Sequence, residues 1–348
     1  MKKIASIILL AFFFLPTGIG HSLDIDSPRK YQNISQEIVP SYTPNLFSNF
    51  KTTHMVPMRD GIKLATDVYR PVFPPASKTT LLLRTPYNKD DMSLVGILGI
   101  ILGWPTVIQD MRGRFASEGN DTVFKNENTD GVDTLAWITN QSWSDGKIVT
   151  FGPSAMGIPQ YCLAGENPEN LTCQFVQIAT PNLYHHATFQ GGEFRKNLVE
   201  EWLGDQSSSY MLQEILNNEN FTLGYWGNVT LDNNWEKVNI PAIHVGGWYD
   251  IFSQGTIDAY CGYQHLAGAG ARGNSKLIMG PWTHTGFFQR TQGELIYPRN
   301  SLDRFSLRMF RDMVRSYALN DIDTYSCWPT VSYYVMGDVN DPRAPGNE

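Results

Sequence analysis

Nowhere in the sequence do lysines and arginines gather into a cluster able to neutralise a phosphate backbone; 27 basic and 34 acidic residues are scattered and leave a net charge of -7. Nucleic acid is therefore not an expected partner. Cysteine is scarce too: Cys162, Cys173, Cys261 and Cys327 are the four present, and no two stand in a C-x-x-C arrangement. That spacing supports neither a structural zinc site nor dithiol redox chemistry, and no metal or other cofactor is expected. Two disulfides and free buried thiols remain equal expectations for the four. Internal repeats and low-complexity tracts are lacking, and no run beyond the first residues reads as transmembrane. What is there is apolar material, 42% of 348 residues and 12% aromatic, enough for one large α/β domain with an insertion or a small second domain.

The N-terminus places Lys2 and Lys3 before an apolar run from Ile7 to Leu15, with small residues at Gly18 and Gly20 ahead of His21. The run is too short to span a bilayer, and the basic, apolar, small order predicts a secretory signal within residues 1–22. Cleavage near His21 would leave a secreted or periplasmic chain with no stable membrane association. Six N-x-S/T sequons, at Asn33, Asn120, Asn140, Asn170, Asn220 and Asn228, acquire meaning only in a source that glycosylates.

A polar linker, residues 23–50, leads into segments that alternate between strand and helix patterns. HMVPMRDGIKLATDVYRP (54–71) predicts two strands around a turn at Arg59-Asp60-Gly61, and TTLLLRTPY (79–87) and WPTVIQD (104–110) predict two more. DGVDTLAWITN (130–140) has helical spacing, KIVTFGPS (147–154) is a strand and AMGIPQYCLAG (155–165) a helix. Three further apolar runs follow at 173–181, 242–250 and 276–284, and Phe305, Met309, Met313 and Tyr317 recur four apart as the apolar stripe of a helix. Such alternation predicts a mostly parallel sheet flanked by helices, in two parts, 51–181 and 238–327, with a helical cap inserted at 182–237.

The chemistry rests on FGPSAMG, where Ser154 falls between a strand and a helix. A nucleophile elbow needs small residues beside its serine, and Gly152 and Gly157 supply them; taken alone, G-x-S-x-x-G serves a structural N-cap serine equally well. A serine hydroxyl needs an imidazole to take its proton and an acid to orient that imidazole. In α/β-hydrolases the order is Ser, Asp, His, and here GGWYD ends one strand with Asp250 and GPWTH ends the next with His284. Asp258 and Asp110 are the alternative acids. The sequence QDMRGR predicts instead that Asp110 pairs with Arg112 or Arg114 to hold its loop. His244 reads as a core histidine, His265 as helical, and His185 and His186 as cap residues.

With these residues assembled, the chain resembles the cocaine esterase and X-Pro dipeptidyl-peptidase family of acyl hydrolases. The resemblance is carried by MRDGIKLATDVYRP, LLLRTPYNK, VIQDMRGRFASEG, WITNQSWSDGKIVTFGPSAMG, GGWYDIFSQG, GPWTH and YYVMGDVNDPRAPGNE, in one order. It implies an α/β-hydrolase fold with Ser154 as nucleophile, Asp250 and His284 as acid and base, and the Tyr87 hydroxyl with the Ala155 N–H as oxyanion donors. Phe252 is similar in position to an acyl-pocket wall. Ala155 stands where the family usually has tyrosine, and Ile251, Phe252 and Ser253 stand where the α-amino-acid ester hydrolases carry acidic residues. Family members continue into a jelly-roll domain, so residues 328–348 are expected to be its truncated start. The implied substrate is a small-molecule acyl ester or amide, first an ester with a bulky apolar acyl part, then a β-lactam side chain or an X-Pro dipeptide. A non-catalytic binding protein on the same fold is the contrasting class.

Overall fold

A computed structural model describes residues 50–71, 78–232, 234–287, 289–303, 305–321 and 323–340. The expected signal segment and nearly all of the linker lie outside these residues. Strands β1 (Lys51–Pro57) and β2 (Lys63–Tyr69) form the antiparallel hairpin predicted around Arg59-Asp60-Gly61. They are followed by β3 (Thr80–Thr85), β4 (Thr106–Asp110), β5 (Ile148–Pro153) and β6 (Leu171–Gln177). Beyond a small hairpin, β7 (Phe189–Gln190) with β8 (Glu193–Phe194), come β9 (Ala242–Tyr249) and β10 (Lys276–Thr283). A second hairpin, β11 (Thr291–Gln292) with β12 (Leu295–Ile296), precedes β13 (Val331–Tyr333).

Nine of these strands form one sheet in the order β1-β2-β4-β3-β5-β6-β9-β10-β13, antiparallel at β1, β2 and β4 and parallel from there on. Helices cover both faces of the central strands, so β3, β4 and β5 are buried at every position, and their polar side chains find partners inside, as Arg84 on β3 does by donating to Gln109 on β4 at 2.8 Å. Edge strand β1 is mostly exposed. Val331–Tyr333, from the segment read as the start of a further domain, lies on the opposite edge of this same sheet against β10.

Helix α1 (Ser93–Leu102) had no counterpart in the sequence reading, because SLVGILGIIL is apolar on nearly every position and shows no period. Its two glycines face the sheet: a Cβ on Gly96 would lie 2.4 Å from the Tyr69 ring, and one on Gly99 1.9 Å from the Thr106 hydroxyl. Helices α2 (Glu127–Thr139) and α3 (Ile158–Ala164) pack on each other where they were expected. The cap region holds α4 (Lys196–Asp205), α5 (Leu212–Asn217) and α6 (Leu223–Trp226) around an aromatic cluster, in which Tyr184 meets Phe189, Phe221 and Trp226 at 5.2, 5.3 and 5.3 Å. Helix α7 (Ser253–Cys261) follows β9. Helix α8 (Ser306–Met313) buries Met309 and Met313 on the sheet and stacks Phe310 on Phe175 at 4.7 Å, while Phe305 and Tyr317 are only partly buried.

Candidate active site

Because β3, β5, β9 and β10 run parallel, their carboxyl ends share one edge of the sheet, and the side chains read from the sequence all follow those ends. Ser154 comes directly after β5 with φ of 54°, a left-handed conformation that a non-glycine residue adopts at a cost of about 1–3 kcal/mol. The surroundings leave little room for a different turn. Gly152 has φ of 144°, and a Cβ there would come within 2.8 Å of the Met156 Cβ and 2.9 Å of Leu83. A Cβ on Gly157 would already lie 2.5 Å from that of Ala179. This close approach of helix to strand lifts Ser154 out of the sheet edge and explains the small residues flanking it.

The Ser154 hydroxyl lies 2.8 Å from His284 Nε2, and His284 Nδ1 lies 2.7 Å from Asp250 Oδ2. The Asp250 side chain is fully buried, and its second oxygen accepts the backbone N–H of Phe252 at 2.6 Å. An Nδ1–H donated to this carboxylate leaves Nε2 as the acceptor for the serine proton. The His284 loop is held by Gln292, whose Oε1 accepts from the Thr283 N–H and hydroxyl at 2.9 and 3.0 Å and whose amide donates to the Gly286 and Gln289 carbonyls, each at 2.8 Å. Gln292 carries no local motif and was not legible in the sequence.

Tyr87 follows β3, and its hydroxyl faces Ser154. Burial pushes the phenol above its ordinary value, with the Trp202 and Ser154 hydrogen bonds acting in the opposite direction. The ring therefore stays protonated as a donor. Trp202 on α4 donates its indole N–H to the Tyr87 oxygen at 3.3 Å, and since indole only donates, the tyrosine proton is left for another acceptor. Ala155 is the second residue of the short helical turn Ser154–Met156, where the first N–H groups have no preceding carbonyl. Phe252 is buried and meets the His284 ring edge-on at 5.5 Å.

Ser154, His284, Tyr87, Ala155 and Phe252 line one cavity whose empty volume, open mouth included, is about 870 Å³. Its other walls come largely from the cap, through Leu198, Trp202, Leu203, Ile215 and Trp226. The Trp202 ring is stacked on Phe124 at 5.4 Å. Lys125 also borders the cavity, held over the Tyr225 ring at 3.4 Å and against Glu214 at 2.6 Å. Among the described residues lining it there is no aspartate or glutamate. Nor is any group of three or more His, Cys, Asp and Glu side chains among the described residues arranged to hold a metal ion.

The rival residues lie elsewhere. Asp258 pairs with His186 at 3.0 Å, and His186 in turn meets the Thr180 hydroxyl at 2.8 Å. His244 is buried against the Tyr161 hydroxyl at 2.8 Å, and burial pulls it down to about 3. Asp110 forms no pair with the nearby arginines, contrary to the sequence expectation. It accepts the backbone N–H groups of Lys89 and Ala116 at 2.7 and 3.4 Å, and burial pushes it up to about 6. Arg112 instead pairs with Asp130 at 2.6 Å and Asp60 at 2.7 Å, because helix α2 brings Asp130 under the loop. Arg114 reaches into the cap, donating to the Gln206 carbonyl and side chain, and also to the Pro86 carbonyl beside Tyr87. All four cysteines are free, Cys162 and Cys173 buried and Cys261 and Cys327 exposed.

A mostly parallel sheet of this order, with serine on a strained turn after β5 and aspartate and histidine after β9 and β10, defines the α/β-hydrolase class. Residues 60–213 and 196–286 match the family described as X-Pro dipeptidyl-peptidase (S15 family), and the chain belongs to that family. It is 27% identical over 340 residues to the cocaine esterase of Rhodococcus sp. (strain MB1 Bresler), covering 81% of this chain and 57% of that enzyme. Solved structures share the fold. A CocE/NonD family hydrolase from Staphylococcus aureus superposes with a TM-score of 0.68 at 19% identity, over 82% of this chain and 53% of the other. An aminopeptidase from a Thaumarchaeota archaeon gives 0.67 at 19%, over 92% and 61%, and an α-amino acid ester hydrolase 0.65 at 20%, over 90% and 61%. The chain thus spans between about half and three-fifths of the length of these relatives.

Proposed function

We propose that the chain carries the catalytic machinery of an exported serine hydrolase that cleaves small-molecule acyl esters through an acyl-enzyme. The observation that supports this most is the hydrogen-bonded line Ser154, His284, Asp250, at 2.8 and 2.7 Å, on a serine held at positive φ. Asp250 holds the imidazole in the tautomer whose Nε2 takes the Ser154 proton as Oγ bonds to the acyl carbon. The carbonyl oxygen gains the negative charge and receives hydrogen bonds from the Ala155 N–H and the Tyr87 hydroxyl. Collapse of the tetrahedral adduct breaks the bond to the alcohol, which leaves with the proton from His284. Water, deprotonated by the same imidazole, then attacks the acyl-serine and releases the acid.

The apolar cap walls favour a bulky apolar acyl group. X-Pro dipeptide cleavage is the second reading, favoured by the family described for residues 60–286, but a free amino terminus would meet Lys125 and no carboxylate in this cavity. A fluorophosphonate probe tests catalysis against the non-catalytic binding protein. Labelling at Ser154, lost in S154A together with ester turnover while the fold persists, is the expected result. A folded S154A protein with wild-type turnover, or no labelling of the wild type, would sink the reading.

A further inference from the structure

The cap contributes more than walls. Arg195 stands between strand β8 and helix α4, its backbone fixed on both sides: its N–H donates to the Thr188 carbonyl at 2.9 Å, and its carbonyl accepts from Val199 at 3.0 Å. From there the guanidinium turns toward the sheet. Its Nη1 donates to the His186 carbonyl at 2.8 Å and to the Ile251 carbonyl at 3.3 Å. Ile251 is the residue after Asp250, in the turn whose next N–H, that of Phe252, bonds the Asp250 carboxylate. A cation from an inserted segment is therefore bonded to the backbone of the turn that carries the acid.

We propose that Arg195 is a positioning residue for the Asp250–His284 pair, clamping the Ile251 carbonyl and holding a fixed positive charge near the carboxylate. The inference rests on the proposed role of Ser154, His284 and Asp250. Two physical consequences follow. The clamp removes freedom from the turn, so that Asp250 meets Nδ1 in one geometry. A cation beside Asp250 disfavours a second positive charge on the neighbouring imidazole, so its removal is expected to make protonation of the base easier. Burial lowers the Arg195 guanidinium, and the charge of Asp250, which it does not contact directly, opposes that. Other ionisable groups around the pair are Tyr87 and Lys125 across the cavity, and His186 with Asp258 next to Arg195. Arginine suits the task because its planar, always-charged fork can bond two carbonyls at once, which a lysine ammonium does with less directional definition.

The test is the pH dependence of fluorophosphonate labelling at Ser154, which reads the base in the free enzyme without any choice of substrate. Arg195→Met should move the acid limb of the labelling profile upward by roughly 0.5–1 pH unit, since a cation has been removed. Arg195→Lys should return the limb close to wild type, because the charge is kept. The comparison repeated in an H186Q background excludes His186 as the titrating group, and the shift should persist there. If R195M does not fold, Arg195→Gln, neutral yet still a donor, replaces it. Superimposable limbs in wild type and the neutral variant would overturn the inference, whatever the change in melting temperature, and so would a shift that vanishes with H186Q or that R195K fails to reverse. Absence of labelling in the wild type would instead overturn the reading of the site itself.

Discussion

At the scale of single residues, the sharpest distinction concerns Tyr87. A packed aromatic and an oxyanion donor both sit comfortably at a strand end, but they differ in what the hydroxyl does. The structure places that hydroxyl against Ser154, with the Trp202 indole donating to its oxygen. If it donates to the tetrahedral adduct, Tyr87→Phe removes a donor where charge appears only in the transition state, so kcat falls and KM changes little. The expected loss is roughly 10²- to 10³-fold, or about 2.7–4 kcal/mol. Steady-state kinetics and thermal melting on one preparation separate the cases: near-normal kcat with a lowered Tm would make Tyr87 a packing residue.

At the scale of elements, the loops after β3 and β4 are fastened together by Asp110, which accepts N–H groups from both, at Lys89 and Ala116. Burial is the larger influence and raises this carboxyl from an ordinary 3.8 to about 6. The folded protein therefore holds this proton more tightly than the unfolded chain does, and the sign follows: the stabilisation is complete below about pH 4 and is lost as pH rises through 6. A shift of this size corresponds to at most about 3 kcal/mol. Asp110→Asn keeps an acceptor for the two N–H groups and removes the titration. Its stability, followed by denaturant unfolding between pH 4 and 7, should vary less across that window than the wild type's. Parallel profiles for the two proteins would show that the carboxyl titrates elsewhere. Glu127, buried beside Arg84 and pushed up to about 7, acts with the same sign in both proteins and so cancels from the comparison.

At the scale of the whole molecule, the site is a joint between sheet and cap. Sheet ends supply the proposed reacting groups, Ser154, His284 and Asp250, and the cap supplies apolar walls, the Trp202 indole and the Arg195 guanidinium. Arg114 ties the two parts, bonding Gln206 and the Pro86 carbonyl from one side chain. An acyl group entering between them exchanges water for hydrocarbon. At roughly 0.8 kcal/mol per buried CH₂, kcat/KM for p-nitrophenyl esters should rise about fourfold per methylene until the cavity is full. Gly-Pro and Ala-Pro anilides, which bring an ammonium to apolar walls, should be turned over more slowly than the esters. Faster anilide turnover, or rates that fall steadily with acyl length, would reverse the substrate reading.

Much of this was determined by the sequence alone. Short, largely apolar runs alternating with helical segments indicate a parallel sheet, a serine between small residues at a strand end marks a sharp turn, and the order Ser, Asp, His restricted the candidate acid and base to residues at strand ends. Those features are local or depend only on chain order, so Ser154, Asp250 and His284 were legible as a candidate set, and the structure brings the three into hydrogen-bond contact. The periodless helix Ser93–Leu102 was not, because uniform hydrophobicity carries no phase. Tyr87 and the pocket role of Phe252 came from resemblance, and local pattern alone read them as packed aromatics. Only the tertiary structure decided which arginine meets which acid, that Gln292 holds the His284 loop and that Arg195 and Trp202 reach from the cap to the Ile251 carbonyl and the Tyr87 hydroxyl. Such contacts join positions far apart in the chain, as with Trp202 and Tyr87, through long side chains whose direction depends on how two separately folded segments pack, and no spacing along the sequence encodes that.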